Sequence, residues 1–156
     1  MNFKTVSNSI SSISNVMLPS QANPAGNVHG GEIMKLMDTA ASVSAMRHCR
    51  KNVVTVRVYE LIFHEPIYVG NLVTVNSKLS FVGKTSMETK VEVWVEDLKK
   101  ENSSRLAQTA YFTFVALDEH HKPTAVPSLM PQTPMEIELF KEGEERYMKN
   151  KSVAII

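Results

Sequence analysis

The sequence predicts an α+β domain in which one long apolar helix packs against an antiparallel β-sheet. The first observation is a turn at Gly30 and Gly31, followed by proline-free, helix-forming sequence up to Cys49. The second is a hydrophobic pattern that alternates with a period of two over residues 54–117. The connections within that region are too short for crossover helices, so neighbouring strands must run antiparallel. We expect the sheet to curl round the helix and bury it.

Length and composition narrow the class of protein. With 156 residues, 43% of them apolar and 21% charged, the chain has the make-up of one ordinary globular domain. Its net charge of +1 gives no argument for nucleic acid as a partner, and no apolar run is long enough to insert into a bilayer. The single cysteine fits a reducing compartment, so we expect a cytoplasmic protein.

The elements follow in a simple order along the chain. Residues 1–9 are predicted to be flexible, and a short strand and a proline-containing loop precede the helix. Alternating apolar residues then predict four strands, at residues 54–63, 73–81, 87–95 and 105–117. The main domain therefore spans residues 10–122, and residues 123–156 form a tail with at most a short surface helix. One small sheet leaves free edges, which commonly pair with another subunit.

Asp38 is the candidate functional residue of the helix. Its neighbours one turn away are small or apolar, and a carboxylate there needs a partner or a chemical role. One alternative is an exposed ion pair with Lys35, three residues earlier. We favour a chemical role because the helix is apolar on several sides. It also opens from a Gly-Gly turn whose free N–H groups can bind an anion.

Residues 25–41, AGNVHGGEIMKLMDTAA, resemble the signature of hot-dog-fold acyl-CoA thioesterases of the cytosolic acyl-CoA hydrolase family. The similarity continues to KTSME at residues 84–88 and covers roughly residues 15–118. It implies a long central helix wrapped by a curved antiparallel sheet, and hydrolysis of acyl-CoA to a free carboxylic acid and CoA. It also implies homodimers that often assemble into hexamers as trimers of dimers. No cofactor is then required, since CoA is part of the substrate and product.

The resemblance also implies roles for individual residues. Asp38 matches the catalytic aspartate, as a general base or as a nucleophile through an anhydride, and these two roles remain open. Asn27 matches an asparagine before the glycines, although an ordinary turn residue is the alternative. The backbone N–H of Gly31 can polarise the thioester carbonyl. The expected contacts to CoA lie on two segments, with cations for the phosphates: Val56, Arg57, Val58, Lys84, Ser86, Met87 and Glu88.

Two other functions remain as alternatives. His29 with Glu32 suggests a hot-dog hydratase or dehydratase that uses a histidine and a carboxylate. A non-catalytic acyl-CoA-sensing module of the same fold would not need Asp38 for binding. No spacing of histidine, cysteine and carboxylate residues resembles a metal site, so we expect no metal.

Overall fold

The computed structural model describes residues 2–152, which contain two α-helices and seven β-strands. Their order is β1 (Phe3–Thr5), β2 (Ser11–Val16), α1 (Gly30–Cys49), β3 (Asn52–Phe63), β4 (Leu72–Val82), β5 (Ser86–Glu96), β6 (Arg105–Leu117), β7 (Ser128–Met130) and α2 (Pro134–Ser152). None of the helices in this range is both long and apolar enough to cross a membrane.

The main sheet has five antiparallel strands in the order β2-β4-β5-β6-β3, and α1 contacts all five. One side of α1 is fully buried against the sheet, through Ile33, Met37, Ala40, Ala41 and Ala45. These residues form one core with inward-facing strand residues such as Phe112 and Phe114. The predicted architecture, a long helix wrapped by an antiparallel sheet, is confirmed.

Strand β3 forms a free edge of this sheet. It pairs with β6 on one side, and no other described strand covers its second side. The strand is 12 residues long and carries large exposed apolar side chains: Val54, Val56, Val58, Ile62 and Phe63. A long apolar edge of this kind is an aggregation hazard unless another strand pairs with it.

The N-terminal segment differs from the prediction of a flexible stretch over residues 1–9. Strand β1 pairs in parallel with β7, and Val6 in the following turn is only 3% exposed. Short segments carry little periodicity, and the two strands lie more than a hundred residues apart, so the pairing left no local signal. Met1 and residues 153–156 lie outside the described residues.

Helix α2 is also longer and better packed than the short surface helix expected for the tail. It has 19 residues and lies against the sheet face that points away from α1, where Phe140 meets Phe81 at a ring separation of 5.0 Å. Arg146 donates two hydrogen bonds, of 2.8 and 2.9 Å, to the buried carboxylate of Glu88. A Cβ at Gly143 would lie 2.5 Å from the Cβ of Phe81, so this close approach requires glycine.

Candidate active site

Asp38 lies half-buried in the middle of α1 and is bonded by a strand residue. The hydroxyl of Thr55 on β3 donates a 2.7 Å hydrogen bond to Asp38 Oδ1. Thr55 faces the helix because it lies opposite the core residue Phe114 on β6. Lys35 instead lies 3.8 Å from Glu32, so the alternative ion pair between Lys35 and Asp38 is not formed. The carboxylate is thus oriented by a neutral partner.

A cleft of about 340 Å³ lies at the N-terminus of α1. Its lining includes polar and aromatic groups from the loop before the helix and from two strands: Asn23, Asn27, Gly30, Phe63, His64 and Gln108. The first N–H groups of a helix have no acceptor within the helix, so those of Gly30, which lines the cleft, and of Gly31, the next residue, are available to a ligand. The helix dipole adds positive potential at the same point. This end of the helix therefore suits a carbonyl oxygen that gains negative charge.

Two asparagines belong to this cleft. The side-chain oxygen of Asn23 accepts hydrogen bonds from the backbone N–H groups of Ala25 and Asn27, at 3.0 and 3.1 Å. The Asn23 backbone N–H also donates to the Asn27 carbonyl at 2.7 Å, which closes the loop. The Asn23 NH₂ group remains able to donate to a ligand. Of the two, only Asn27 was predicted from the sequence, because Asn23 has the pattern of an ordinary loop residue before a glycine turn.

The Asp38–Thr55 pair and the cleft are separated within one chain. On β6, the residue opposite Thr55 is Phe114, and the residue opposite Phe63 is Gln108. These two β6 positions are six residues apart, which corresponds to about 20 Å along a strand. One chain therefore holds two half-sites on the same face of the sheet.

The residues expected to contact CoA have different environments. Three of them are exposed: Val56 and Val58 on β3, and Lys84 on the turn between β4 and β5. Arg57 on β3 and Ser86 at the start of β5 are half-buried. Met87 and Glu88 are buried instead. Met87 packs in the core, and Glu88 bonds to Arg146 and to Ser80. Their side chains are therefore engaged in contacts within the chain.

The remaining candidate residues do not form a second catalytic group. No hydrogen bond joins the side chains of His29 and Glu32 within the described residues, and His29 is exposed at the start of the helix. Burial raises the pKa of the Cys49 thiol, which disfavours the reactive thiolate. Residues 2–152 contain no group of three or more histidine, cysteine or carboxylate side chains that could hold a metal ion.

A larger cleft of about 820 Å³ lies at the other end of α1. Its lining contains three cations, Arg47, Arg50 and Lys51, together with the carboxylates of Asp118 and Glu119. Lys51 is partly committed to the fold, since it donates hydrogen bonds to Thr124 and to the Ala125 carbonyl, both at 3.2 Å. No pattern in the sequence predicted a site at this cleft.

Comparison with known proteins identifies the family. The model of the thioesterase superfamily matches residues 25–101. The cytosolic acyl coenzyme A thioester hydrolase of Rattus norvegicus is 40% identical over 149 residues, which are 95% of this chain and 39% of that protein. The chain thus spans about two fifths of the length of this relative. The hexameric thioesterase y2039 of Yersinia pestis is 32% identical, with a TM-score of 0.69 over 74% of this chain and 93% of that one.

An acyl-CoA hydrolase of Staphylococcus aureus, solved with butyryl-CoA and CoA, has a TM-score of 0.88 and 30% identity over 96% of this chain and 91% of that chain. Solved variants of that protein replace an aspartate, an asparagine 15 residues before it and a threonine 17 residues after it. Asn23, Asp38 and Thr55 are separated by the same two intervals. From the matched model and these relatives, the chain belongs to the acyl-CoA thioester hydrolases of the thioesterase superfamily.

Proposed function

We propose that this protein hydrolyses acyl-CoA to a free carboxylic acid and CoA at a site centred on Asp38. The observation that carries the proposal is the Asp38 carboxylate, held by Thr55 in the central helix of a member of this family. The half-buried position keeps the carboxylate accessible to a substrate. Acyl-CoA is the substrate class, as the names of the relatives indicate.

The reaction needs an attacking water, a stabilised oxyanion and a leaving thiolate. In the general-base route, Asp38 takes a proton from water, and the water oxygen bonds to the thioester carbonyl carbon. The negative charge that develops on the carbonyl oxygen is stabilised by the N–H of Gly31 at the helix N-terminus. The C–S bond then breaks with its electron pair on sulfur, and the proton passes to the CoA thiolate. In the alternative route, the Asp38 carboxylate attacks the carbonyl carbon, and the C–S bond breaks with its electron pair on sulfur, which gives an anhydride and CoA thiolate. Water then hydrolyses the anhydride to the free acid and the Asp38 carboxylate, and the proton released passes to the thiolate.

We assign the amide that assists this chemistry to Asn23, with Asn27 as the alternative. The support is the interval of 15 residues to Asp38, which matches the residues varied in the S. aureus relative. The NH₂ group of Asn23 adds to this support, since it has no partner within residues 2–152 and can donate to the carbonyl oxygen. Asn23→Ala should then reduce turnover far more than Asn27→Ala.

We propose that the two half-sites are completed by a second subunit that pairs along β3. If two copies of β3 pair antiparallel, the start of one strand lies beside the end of the other. Thr55 near the start would thus approach the cleft that contains the partner's Phe63 near the end. The exposed apolar residues of β3 favour such pairing, and the Y. pestis relative is described as hexameric. We therefore propose a homodimer that assembles further as a trimer of dimers.

For the CoA moiety, we propose that Arg57 and Lys84 contact the phosphates, with Ser86, Val56 and Val58 alongside. Lys84 is exposed on the β4–β5 turn, where an ammonium group can reach a phosphate. Met87 and Glu88 would act only by holding this turn in place. We propose no further cofactor and, as in the rat relative named as cytosolic, a cytoplasmic location.

The test is a hydrolysis assay that detects free CoA thiol with a series of acyl-CoA substrates from short to long chains. The wild-type protein should release CoA, and Asp38→Asn should lower kcat by about 10² to 10⁴-fold. The control Glu138→Gln removes a carboxylate from the exposed side of α2 and should change nothing. CoA binding that persists without turnover of any substrate would contradict the proposal and favour a sensing module.

A further inference from the structure

Gln108 on β6 is a buried polar residue that the proposed mechanism does not use. Its side chain is only 3% exposed, and its Oε1 atom has no hydrogen-bond partner among the described residues. Buried side-chain oxygens in proteins are nearly always hydrogen-bonded, so an unpaired one requires an explanation.

The location of Gln108 gives that explanation. Its neighbours on the helix-facing side of β6 are apolar and buried: Ala110, Phe112, Phe114 and Ala116. Gln108 is the polar member of this series of inward-facing β6 residues, and it lies where the series reaches the cleft at the start of α1. Its neighbours across the sheet are Phe63 on β3 and Val93 on β5. The carboxamide is therefore a polar group at the boundary between the apolar core and the cleft that Gly30 and the two asparagines also line.

We infer that Gln108 binds the attacking water of the thioesterase reaction, an inference that rests on the proposed function. An unpaired amide oxygen needs a hydrogen-bond donor. The thioester group offers only acceptors, its carbonyl oxygen and its sulfur, whereas water can donate. A water that donates one hydrogen to Gln108 Oε1 directs its second hydrogen toward the Asp38 carboxylate of the partner subunit. The side chain thus orients the lone pair of the water oxygen toward the carbonyl carbon.

The experiment compares Gln108→Met with wild-type protein. Methionine is an unbranched side chain of similar size that fills the space but does not bind water. Misplacing a reacting group typically costs about 10²-fold in rate. We therefore expect kcat to fall by roughly this factor, while KM and the affinity for CoA stay unchanged. The exposed Gln132→Met is the matched control and should behave as wild type.

A second readout separates water positioning from a general loss of the site. Hydroxylamine is added as a competing nucleophile, and the acid and hydroxamate products are both measured. Loss of the bound water should slow acid formation more than hydroxamate formation, so the ratio of hydroxamate to acid should rise. Equal slowing of both reactions, an unchanged kcat, or a rise in KM alone would each overturn the inference.

The result also separates this inference from the proposed function. Absence of hydrolysis by the wild type refutes the proposed function, whereas normal turnover by Gln108→Met refutes only the role of Gln108. Where Gln108→Met does not fold, Gln108→Asn is measured by the same criteria, since it keeps an amide at the position but shortens its reach. Failure of both variants to fold shows a purely structural residue and overturns the inference.

Discussion

Thr55 on the free edge strand donates a 2.7 Å hydrogen bond to Asp38 in the central helix. The bond joins α1 to the strand that we propose forms the dimer interface. It occupies Oδ1 of the carboxylate and orients Oδ2. The carboxylate that we propose performs the chemistry is therefore positioned by the same strand that is expected to bring the second half-site.

The first prediction from this pair concerns the hydroxyl group. Thr55→Val keeps the branched shape but removes the donor. Hydrogen bonds to charged groups contribute about 1.5–3 kcal/mol, so we expect kcat to fall by roughly ten- to a hundredfold. The control Thr113→Val removes a hydroxyl on the neighbouring strand β6. Steady-state kinetics that show equal activity of both variants would contradict a positioning role for Thr55.

Because α2 packs closely against the sheet at Gly143, we expect the helix-favouring substitution Gly143→Ala to destabilise the protein. Gly143→Ala would place a Cβ 2.5 Å from Phe81 Cβ and 3.0 Å from Glu88 Oε1. Alanine in an exposed helix stabilises by about 1 kcal/mol relative to glycine, but overpacking costs about 1–3 kcal/mol. We therefore expect a net loss of stability in urea unfolding. Glu144→Ala, at the next and exposed position, should stay within about 0.5 kcal/mol of wild type.

His48 predicts a dependence of stability on pH. It is fully buried, and its Nε2 lies 2.7 Å from the Pro127 carbonyl, to which it donates. Burial lowers the pKa of His48, the hydrogen bond to Pro127 opposes this, and the nearby Lys4 lowers the pKa further. The unfolded chain therefore takes up a proton at a higher pH than the folded protein does.

The neutral, buried His48 therefore contributes its full share to the free energy of unfolding above the ordinary histidine pKa of about 6.5. This contribution is lost as the pH falls below that value. The loss can reach about 1.4 kcal/mol per pH unit. We would measure the free energy of unfolding in urea between about pH 7.5 and pH 5. This free energy should change less steeply with pH in His48→Gln than in wild type. The exposed His120→Gln should keep the wild-type slope. Identical slopes in all three proteins would exclude His48 as the source.

Local patterns in the sequence were sufficient for the helix and the main strands. The period-two alternation over residues 54–117 reports which side of each strand is buried, and Asp38 stands out because its helical neighbours are apolar. The parallel pairing of β1 with β7 depends on segments distant in sequence, so no local pattern indicates it. The packing of Gly143 against Phe81 is hidden for the same reason.

The site itself was only partly predictable. Asn23 and Asn27 both precede the glycines, and only the folded loop shows that the Asn23 oxygen accepts bonds within the loop while its NH₂ group has no partner among the described residues. The alternating pattern of β6 places Gln108 on the inward side of the strand. That its side-chain oxygen has no partner among the described residues follows only from the packed structure. Met87 and Glu88 fit the family pattern for CoA contacts, yet the core and Arg146 occupy their side chains.

We predict that each active site uses Asp38 from one subunit and Asn23 from the other. Two kinds of heterodimer, separated by different affinity tags, test it. The first combines an Asn23→Ala subunit with an Asp38→Asn subunit. The second combines a wild-type subunit with a subunit that carries both substitutions. Each heterodimer contains the same two substitutions and differs only in their distribution.

The measurement is the rate of CoA release per heterodimer. In a shared site, the first heterodimer has one site with Asp38 and Asn23 both intact, and it should show about half of the wild-type activity if the sites are independent. The second heterodimer has one defect in each site and should be as inactive as either single variant. The reverse result, with half activity in the second heterodimer and none in the first, would show that both residues act within one chain and would contradict the account.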